Sequence, residues 1–423
     1  MEGGTNKKFR RSEGGWADSQ AGPCTERISG DRIERRRTAC RPRPGLSRQG
    51  NIEIRSNRDN LLKGLQAVQR VISPKTPVPI LTGIKIQALA DRLQVAATDL
   101  EMGLFCTIPA KVLEDGEAVI PARYLVDMVR HLPEGEVEMA SVPDQAAVTL
   151  RYGQSRTSLY GFPEGEFPYL TIPDGGFSFE IAAPLFREVL QKILFAVSTE
   201  ESRAIFTGAL FEVDEGMLTF VTTDIHRLAM KKIACEGVQG RVNEEPRRLI
   251  VPGKALGELA RLIASGDAPV CVSLLSHQAG FTYLNYHLFC RLIQGNYPSY
   301  ERLIPEQERE CQVKTNAGEL LAAVERATAL ADKGLPVVTM ALSGDGLQVM
   351  TETVAGNMQE ILAAEIEGEE MEIHFNARFL SDTLKVMEGA EIVLDFYGPF
   401  NPCIVRRPGD EGYLSMVLPI RLG

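Results

Sequence analysis

The sequence predicts an α+β protein of three like domains, each with two helices packed on antiparallel sheets, and three observations carry that expectation. The first is self-similarity. Leu81-Thr82-Gly83-Ile84 through Ala97-Thr98-Asp99 matches Phe206-Thr207-Gly208-Ala209 through Thr222-Thr223-Asp224 at an offset of 125. Arg92-Leu93-Gln94-Val95 returns as Met217-Leu218-Thr219-Phe220 and again as Gly346-Leu347-Gln348-Val349. A repeat of this length is a domain, not a short motif.

The second observation is a shared order of elements. Each copy opens with an amphipathic helix. These are Asn60–Ile72 (Leu61, Leu65, Val68 and Ile72 on one stripe), Pro184–Val197 (Leu185, Val189, Ile193, Val197) and Glu319–Ala331 (Leu320, Val324, then small residues). Apolar residues three and four apart mark one buried face. Alternating or β-branched strands follow, such as Thr82–Gln87 and Ala209–Val213, joined at turns such as Asp214-Glu215-Gly216. A second helix comes next, at Ala122–Leu132, Gly253–Ile263 and Ala377–Met387. Pro121 and Pro252 precede the first two, where a fixed φ suits a helix start.

The third observation is punctuation. Copies one and two end alike, in Glu166-Phe167-Pro168-Tyr169 and Asn296-Tyr297-Pro298-Ser299-Tyr300, which read as stiff linkers. The expected domains are 51–172, 173–304 and 305–423, after an N-terminal stretch of Gly, Arg, Ser and Pro over 1–50. That stretch shows no periodicity and reads as a disordered basic extension, with a nucleic-acid-binding arm as the alternative. It holds the single tryptophan, Trp16.

Composition excludes several classes. No apolar run approaches the roughly 20 residues that cross a bilayer, and residues 1–50 contain no apolar signal core. The eight cysteines form no C-x-x-C pair and histidines number five, so neither a zinc site nor a disulfide framework is expected. A reducing cytoplasm fits, and no cofactor is implied.

Charge is uneven. The net charge is −10, yet residues 1–50 carry +6, so the remaining 373 residues carry −16. Against that acidic body the six repeated helices sum to +5, from Lys63, Arg70, Arg123, Arg130, Arg187, Lys192, Lys254, Arg261, Arg326, Arg378 and Lys385 offset by a few acids. With the apolar stripe buried, these cations are expected on the open face, where they neutralise phosphates without reading bases. Three large repeats without capping units favour a closed ring over an open solenoid.

At this point the residues resemble a known family, the bacterial sliding clamp, the beta subunit of DNA polymerase III. The matching stretches lie in order along 51–423: Pro77-Val78-Pro79-Ile80-Leu81, Ala97-Thr98-Asp99-Leu100-Glu101-Met102, Thr223-Asp224-Ile225-His226-Arg227-Leu228-Ala229, Tyr297-Pro298-Ser299-Tyr300-Glu301-Arg302 and Leu418-Pro419-Ile420-Arg421-Leu422. The resemblance implies a head-to-tail homodimer, a ring around duplex DNA, and no catalysis. It implies partners that bind through short linear motifs: the DNA polymerase III alpha subunit, the clamp-loader delta subunit, other polymerases and repair proteins.

Site residues follow from the same resemblance. Phe206, Thr223, Ile225, His226, Arg227, Leu228, Pro298, Arg302, Leu303, Met416, Leu418, Pro419, Ile420, Arg421 and Leu422 are the expected peptide pocket. Lys63, Arg70, Lys75, Arg130, Arg203 and Lys254 are the expected DNA contacts, and Thr157, Leu159, Ala329 and Leu330 the expected dimer seam. Ile225 stands where the family usually has glycine, and Phe206 where leucine is common. The shared Thr-Asp of copies one and two reads as structural, with Asp99 and Asp224 accepting hydrogen bonds at a turn. Asp224 and His226 have no partnered nucleophile, and no clustered carboxylates or metal constellation supports a DNA-processing enzyme. A specialised clamp paralogue serving repair or translesion synthesis is the remaining alternative.

Overall fold

The structure, a computed structural model, describes residues 51–421 except 91, 143–144, 164–166, 169, 171–176, 215, 236–246, 331–334 and 345. The N-terminal extension 1–50, part of the first linker and Leu422 therefore lie outside the described residues.

Unit one runs β1 (Glu53–Asn57), α1 (Arg58–Gln69), β2 (Gly83–Leu89), β3 (Arg92–Thr98), β4 (Met102–Pro109), β5 (Lys111–Glu114), β6 (Gly116–Pro121), α2 (Ala122–His131), β7 (Glu136–Ser141), β8 (Ala147–Tyr152) and β9 (Ser155–Tyr160). Unit two follows with β10 (Phe177–Ala182), α3 (Ala183–Ile193), β11 (Gly208–Asp214), β12 (Met217–Thr223), β13 (Arg227–Ala234), β14 (Arg247–Pro252), α4 (Gly253–Leu262), β15 (Pro269–Leu274), β16 (Gln278–Tyr283) and β17 (Tyr286–Arg291). Unit three holds β18 (Cys311–Asn316), α5 (Ala317–Ala329), β19 (Val337–Ser343), β20 (Gly346–Thr353), β21 (Gly356–Leu362), β22 (Glu365–Gly368), β23 (Met371–Asn376), α6 (Ala377–Lys385), β24 (Glu391–Phe396), β25 (Cys403–Arg406) and β26 (Tyr413–Val417).

The helices begin where their caps dictate. Asn57 and Asn316 each accept two backbone N–H groups through the side chain, so α1 and α5 start two residues before their apolar stripes suggest. Pro121 and Pro252 stand directly before α2 and α4. The stripe predicted over Pro184–Val197 divides: α3 stops at Ile193, whose carbonyl takes the Thr222 hydroxyl at 2.6 Å, and a 3₁₀ turn continues over Leu194–Ala196. The paired helices of each unit pack side by side.

The sheets cross the unit boundaries. One runs β10-β15-β16-β17-β4-β3-β2-β6 and another β14-β11-β12-β13-β26-β25-β24-β18-β22, each with strands from two neighbouring units. At both junctions the strand that follows the Thr-Asp turn pairs antiparallel with the last strand of the next unit. Gly103 faces Phe289 in the first, and Leu228 faces Met416 in the second. The outer sheets, β5-β1-β7-β8-β9 and β21-β20-β19-β23, end in β9 and β21, which have no further strand partner among the described residues. One apolar core spans units one and two, and another fills unit three.

The expectation that every helix cation faces outward is corrected at Lys192. Only 9% exposed, it lies in an ion network that bolts unit two to unit three. Its ammonium bonds Asp410 at 2.6 Å and Glu188 at 2.8 Å and sits over the Tyr413 ring, while Lys231 bonds the other Asp410 oxygen at 2.7 Å. A buried ammonium is tolerated only with paired carboxylates. Burial pushes against both charges, yet the hydrogen bonds outweigh it: Asp410 is held below its ordinary 3.8 and Lys192 above its ordinary 10.5.

The sign follows from linkage. Asp410's contribution is present above about pH 3.8 and is lost as pH falls through its lower folded value. That of Lys192 is full below pH 10.5 and is lost as pH rises through its higher folded value. Asp410→Ala leaves two buried ammoniums short of a partner and is expected to cost about 2–3 kcal/mol at pH 7, the low side of the range for buried pairs because Asp410 keeps some solvent. Urea denaturation should show that gap shrinking below pH 3.

Candidate functional site

The Thr-Asp turn is built twice with the same bonds. In unit one the Thr98 hydroxyl donates to the Met102 carbonyl at 2.7 Å and accepts from the Leu100 N–H, while Asp99 Oδ1 accepts from the Glu101 and Met102 N–H groups. In unit two the Thr223 hydroxyl donates to the Arg227 carbonyl at 2.7 Å and accepts from the Ile225 N–H, and Asp224 Oδ1 accepts from His226 and Arg227. Local side-chain bonds of this kind define Asx and Thr turns. The turn forces its middle residue to a left-handed conformation, φ +77° at Leu100 and +76° at Ile225, where side chains are strained by about 1–2 kcal/mol. Unit three carries a shorter version, with Thr353 donating to the Gly356 carbonyl and the strongly exposed Val354 in place of the aspartate.

What the turn holds differs between copies. In unit two Arg227, 8% exposed, donates from Nε to Asp224 Oδ2 at 2.9 Å and from Nη1 to Asp382 Oδ2 on α6 at 2.7 Å. Its guanidinium lies 4.6 Å over the Phe379 ring and 5.5 Å from Phe195. The exposed His226 ring stacks on the same Phe379 ring, at 5.7 Å between centroids. The C-terminal segment closes the same place: the Leu418 N–H donates to the His226 carbonyl, Ile420 to the His374 carbonyl, and Arg421 lies over the exposed Phe400.

The pocket candidates thus fall into layers. Leu228 and Met416 are buried beneath, packed with Leu210, Val221, Met230 and Tyr300, and Thr223 is spent in the turn. Ile225, His226, Leu418, Pro419, Ile420 and Arg421 gather above them, the first two and Arg421 exposed. Phe206 packs edge-on against Tyr297, and Pro298 leads into the 3₁₀ turn Tyr300–Leu303 that presents Arg302 and Leu303 outward while burying Tyr300 in the floor. Phe379, Asp382 and Phe400 were missed by the sequence reading. They lie more than 150 residues from His226, and only the β13–β26 pairing brings them near.

At the junction of units one and two, a hollow of about 440 Å³ is lined in part by Leu275, His277, Arg291 and Leu292. There Glu101 and Met102 stand where His226 and Arg227 stand in unit two, and Arg291 of the following unit lies 3.6 Å from Glu101.

The DNA candidates divide by pairing. Lys63, Arg70, Lys75 and Arg203 are exposed and form no ion pair among the described residues. Arg130 is paired with Asp127 at 2.8 Å and Lys254 with Asp99 at 2.6 Å, so part of the charge expected for phosphate is already neutralised. Of the seam candidates, Thr157 and Leu159 lie on the open edge β9, and Ala329 and Leu330 end α5, where the Leu330 carbonyl takes the Thr353 hydroxyl. Among the described residues no group of His, Cys, Asp or Glu is arranged to hold a metal, and no helix is long and apolar enough to cross a membrane.

A thrice-copied α+β unit whose sheets run across unit boundaries defines a clamp-type fold. Comparison with known proteins gives the family. Residues 52–171, 180–299 and 301–421 match the N-terminal, central and C-terminal domains of the DNA polymerase III beta subunit, and the chain belongs to that family. It is 32% identical over 376 residues to the beta sliding clamp of Bacillus subtilis, covering 86% of this chain and 98% of that one. It is 31% identical to that of Staphylococcus aureus strain Mu50, covering 88% and 99%. The solved Bacillus subtilis clamp superposes with a TM-score of 0.83 at 31% identity, covering 88% of this chain and 100% of that one. A Bartonella birtlesii clamp gives 0.82 at 28%, with 88% and 100% covered. The family is the non-catalytic processivity factor of DNA polymerase III, which is the function of this chain; a specialised repair paralogue is not favoured.

Replacing the strained Ile225 by glycine relieves about 1–2 kcal/mol and costs about 0.4–1 kcal/mol in unfolded-chain entropy. Ile225→Gly should therefore raise the melting temperature slightly. A calorimetric decrease contradicts the strain.

Proposed function

We propose that two copies of this chain join head to tail into a ring around duplex DNA and hold the replicative polymerase there through the pocket at the junction of units two and three. The observation that supports closure is that β9 and β21, the strands equivalent to those paired at the internal junctions, both end their sheets among the described residues. Units one and two each offer the strand after the Thr-Asp turn to the last strand of the next unit; unit three offers β21, and unit one's last strand, β9, is free. Unpaired edges of this length are aggregation hazards unless covered. Transposing the observed registers places Asn357 of one copy opposite Ser158 of the other, with Met358 against Thr157 and Gly356 against Leu159.

This seam differs from the junction of units two and three. Val354 replaces the aspartate, and no counterpart of the Lys192–Asp410–Lys231 network exists on β21. The seam is therefore the weaker of these two contacts and the place for the ring to part. A topological link lets the protein slide, because it needs no tight base or phosphate contact, and the acidic body with cations on its helices directs DNA to the helical face. The chain works in the cytoplasm, where its DNA and polymerase partners are.

The pocket combines apolar side chains (Ile225, Leu418, Ile420, Phe400) with the Arg227 and His226 anchors, which suits a short peptide rich in Gln, Leu and Phe. Micromolar binding needs about 8 kcal/mol, within reach of three or four buried apolar side chains at about 1.5–3 kcal/mol each. The polymerase alpha subunit, the clamp-loader delta subunit and repair proteins are the expected bearers of such motifs.

Two measurements test the reading. Leu159→Asp puts a carboxylate into the seam and should convert dimer to monomer in sedimentation velocity at micromolar protein; an unchanged dimer rejects this seam. Arg421→Ala with deletion of Leu422 should abolish binding of a fluorescein-labelled Gln-Leu-Ala-Leu-Phe peptide in fluorescence polarisation and leave the dimer intact. Undiminished affinity rejects the pocket.

A further inference from the structure

The two Thr-Asp turns are tied to the next unit by ion pairs of opposite polarity. In unit one the turn's aspartate is the anion, and the cation comes from the following unit's second helix: Asp99 Oδ2 accepts from Lys254 Nζ of α4 at 2.6 Å. In unit two the second aspartate oxygen is already occupied by Arg227 of its own turn, and the following helix supplies the anion, Asp382 of α6. Position 102, a buried methionine, is the copy-one counterpart of Arg227. The inversion therefore puts a buried guanidinium on the turn itself at the second junction, where the first has a buried methionine and draws its cations, Lys254 and Arg291, from the following unit.

That guanidinium is held from two sides. Nε is directed at Asp224 and Nη1 at Asp382, with the planar face on Phe379. Two carboxylates from different units and one aromatic face leave the group a single orientation, since guanidinium donors lie in one rigid plane. Nη2 makes no hydrogen bond among the described residues, and the side chain keeps 10% exposure, so a donor still reaches solvent. With two carboxylates around one cation the cluster is net negative, which favours a neutral carbonyl acceptor over a carboxylate.

We propose that Asp382 is a positioning residue for peptide recognition: from α6 of unit three it aims Arg227 of unit two, so that Nη2 meets a carbonyl oxygen of the incoming peptide. The proposal rests on the pocket reading above. It makes pocket geometry depend on the docking of units two and three, because one of the two carboxylates that aim the donor belongs to each.

Asp382 is 39% exposed at its side chain, so Asp382→Asn removes the charge without burying a hole. The probe is the same fluorescein-labelled Gln-Leu-Ala-Leu-Phe peptide, titrated against full-length wild type, Asp382→Asn, Asp382→Glu, Arg227→Lys and the Arg227→Lys/Asp382→Asn double variant. Dimer mass and melting temperature are recorded for each. Asp382→Asn should weaken binding about tenfold with the dimer retained, and Asp382→Glu should recover part of the loss. In the Arg227→Lys background, adding Asp382→Asn should change affinity less than twofold, because the residue acts through the group already removed. Wild-type affinity in Asp382→Asn overturns the proposal, as does a tenfold loss that is the same in both backgrounds. If wild type itself fails to bind the peptide, the pocket reading falls first and this assignment with it.

Discussion

Backbone pairing at strand edges is the constraint on which this molecule depends. A strand edge exposes a row of N–H and C=O groups that must find partners. Units one and two meet that demand by giving the strand after the Thr-Asp turn to the last strand of the next unit, so that neighbouring units share one sheet. Gly103 against Phe289 and Leu228 against Met416 are the same contact made twice. Everything functional sits on this arrangement. It joins the units, it places the C-terminal segment beside the unit-two turn, and it leaves β9 and β21, the equivalents of the strands paired at the internal junctions, at the ends of their sheets.

The two internal junctions share geometry but not chemistry. The first places Met102 and Cys106 on the shared strand; the second places Arg227 and Lys231 at the corresponding positions, each bonded to a carboxylate of unit three. Buried ion pairs contribute little net stability against apolar packing, yet breaking one is costly, so they specify which surfaces meet. Sequence repetition thus supplied one docking geometry, and divergence at a few strand positions turned one junction into a pocket wall. Of the cations, Lys192 and Lys254 are paired within the chain, whereas Lys63, Arg70, Lys75 and Arg203 form no ion pair among the described residues.

Strain marks the same place. Ile225 and Leu100 adopt a conformation that side chains avoid because three backbone N–H groups and a threonine hydroxyl over-determine the turn. At Ile225 this presents an apolar side chain, 43% exposed, beside His226. Leu100, 48% exposed, is presented the same way in unit one, so the turn itself and not its setting fixes this conformation.

Local order along the chain was legible in the residues alone. The offset of 125, the prolines before α2 and α4 and the Leu/Val stripes are properties of short segments, and they place the repeated helices and the Thr-Asp turns, although the Asn57 and Asn316 caps start α1 and α5 two residues earlier than the stripes suggest. The Asp99 and Asp224 bonds were readable for the same reason, since they close within four residues. Three things belonged to the tertiary structure. Lys192 reads as one more exposed helix cation, yet it is buried, because its partner Asp410 lies 218 residues away and no periodicity records that distance. Phe379 and Asp382 carry no motif and join Arg227 only through the β13–β26 pairing. The crossing of strands between units was likewise invisible, because the alternation that makes a strand buried does not say which edge it will meet. Amino-acid pattern settles what each segment becomes, through short-range sterics and burial; which segments face one another is decided by the shared sheets, which join residues far apart in the chain.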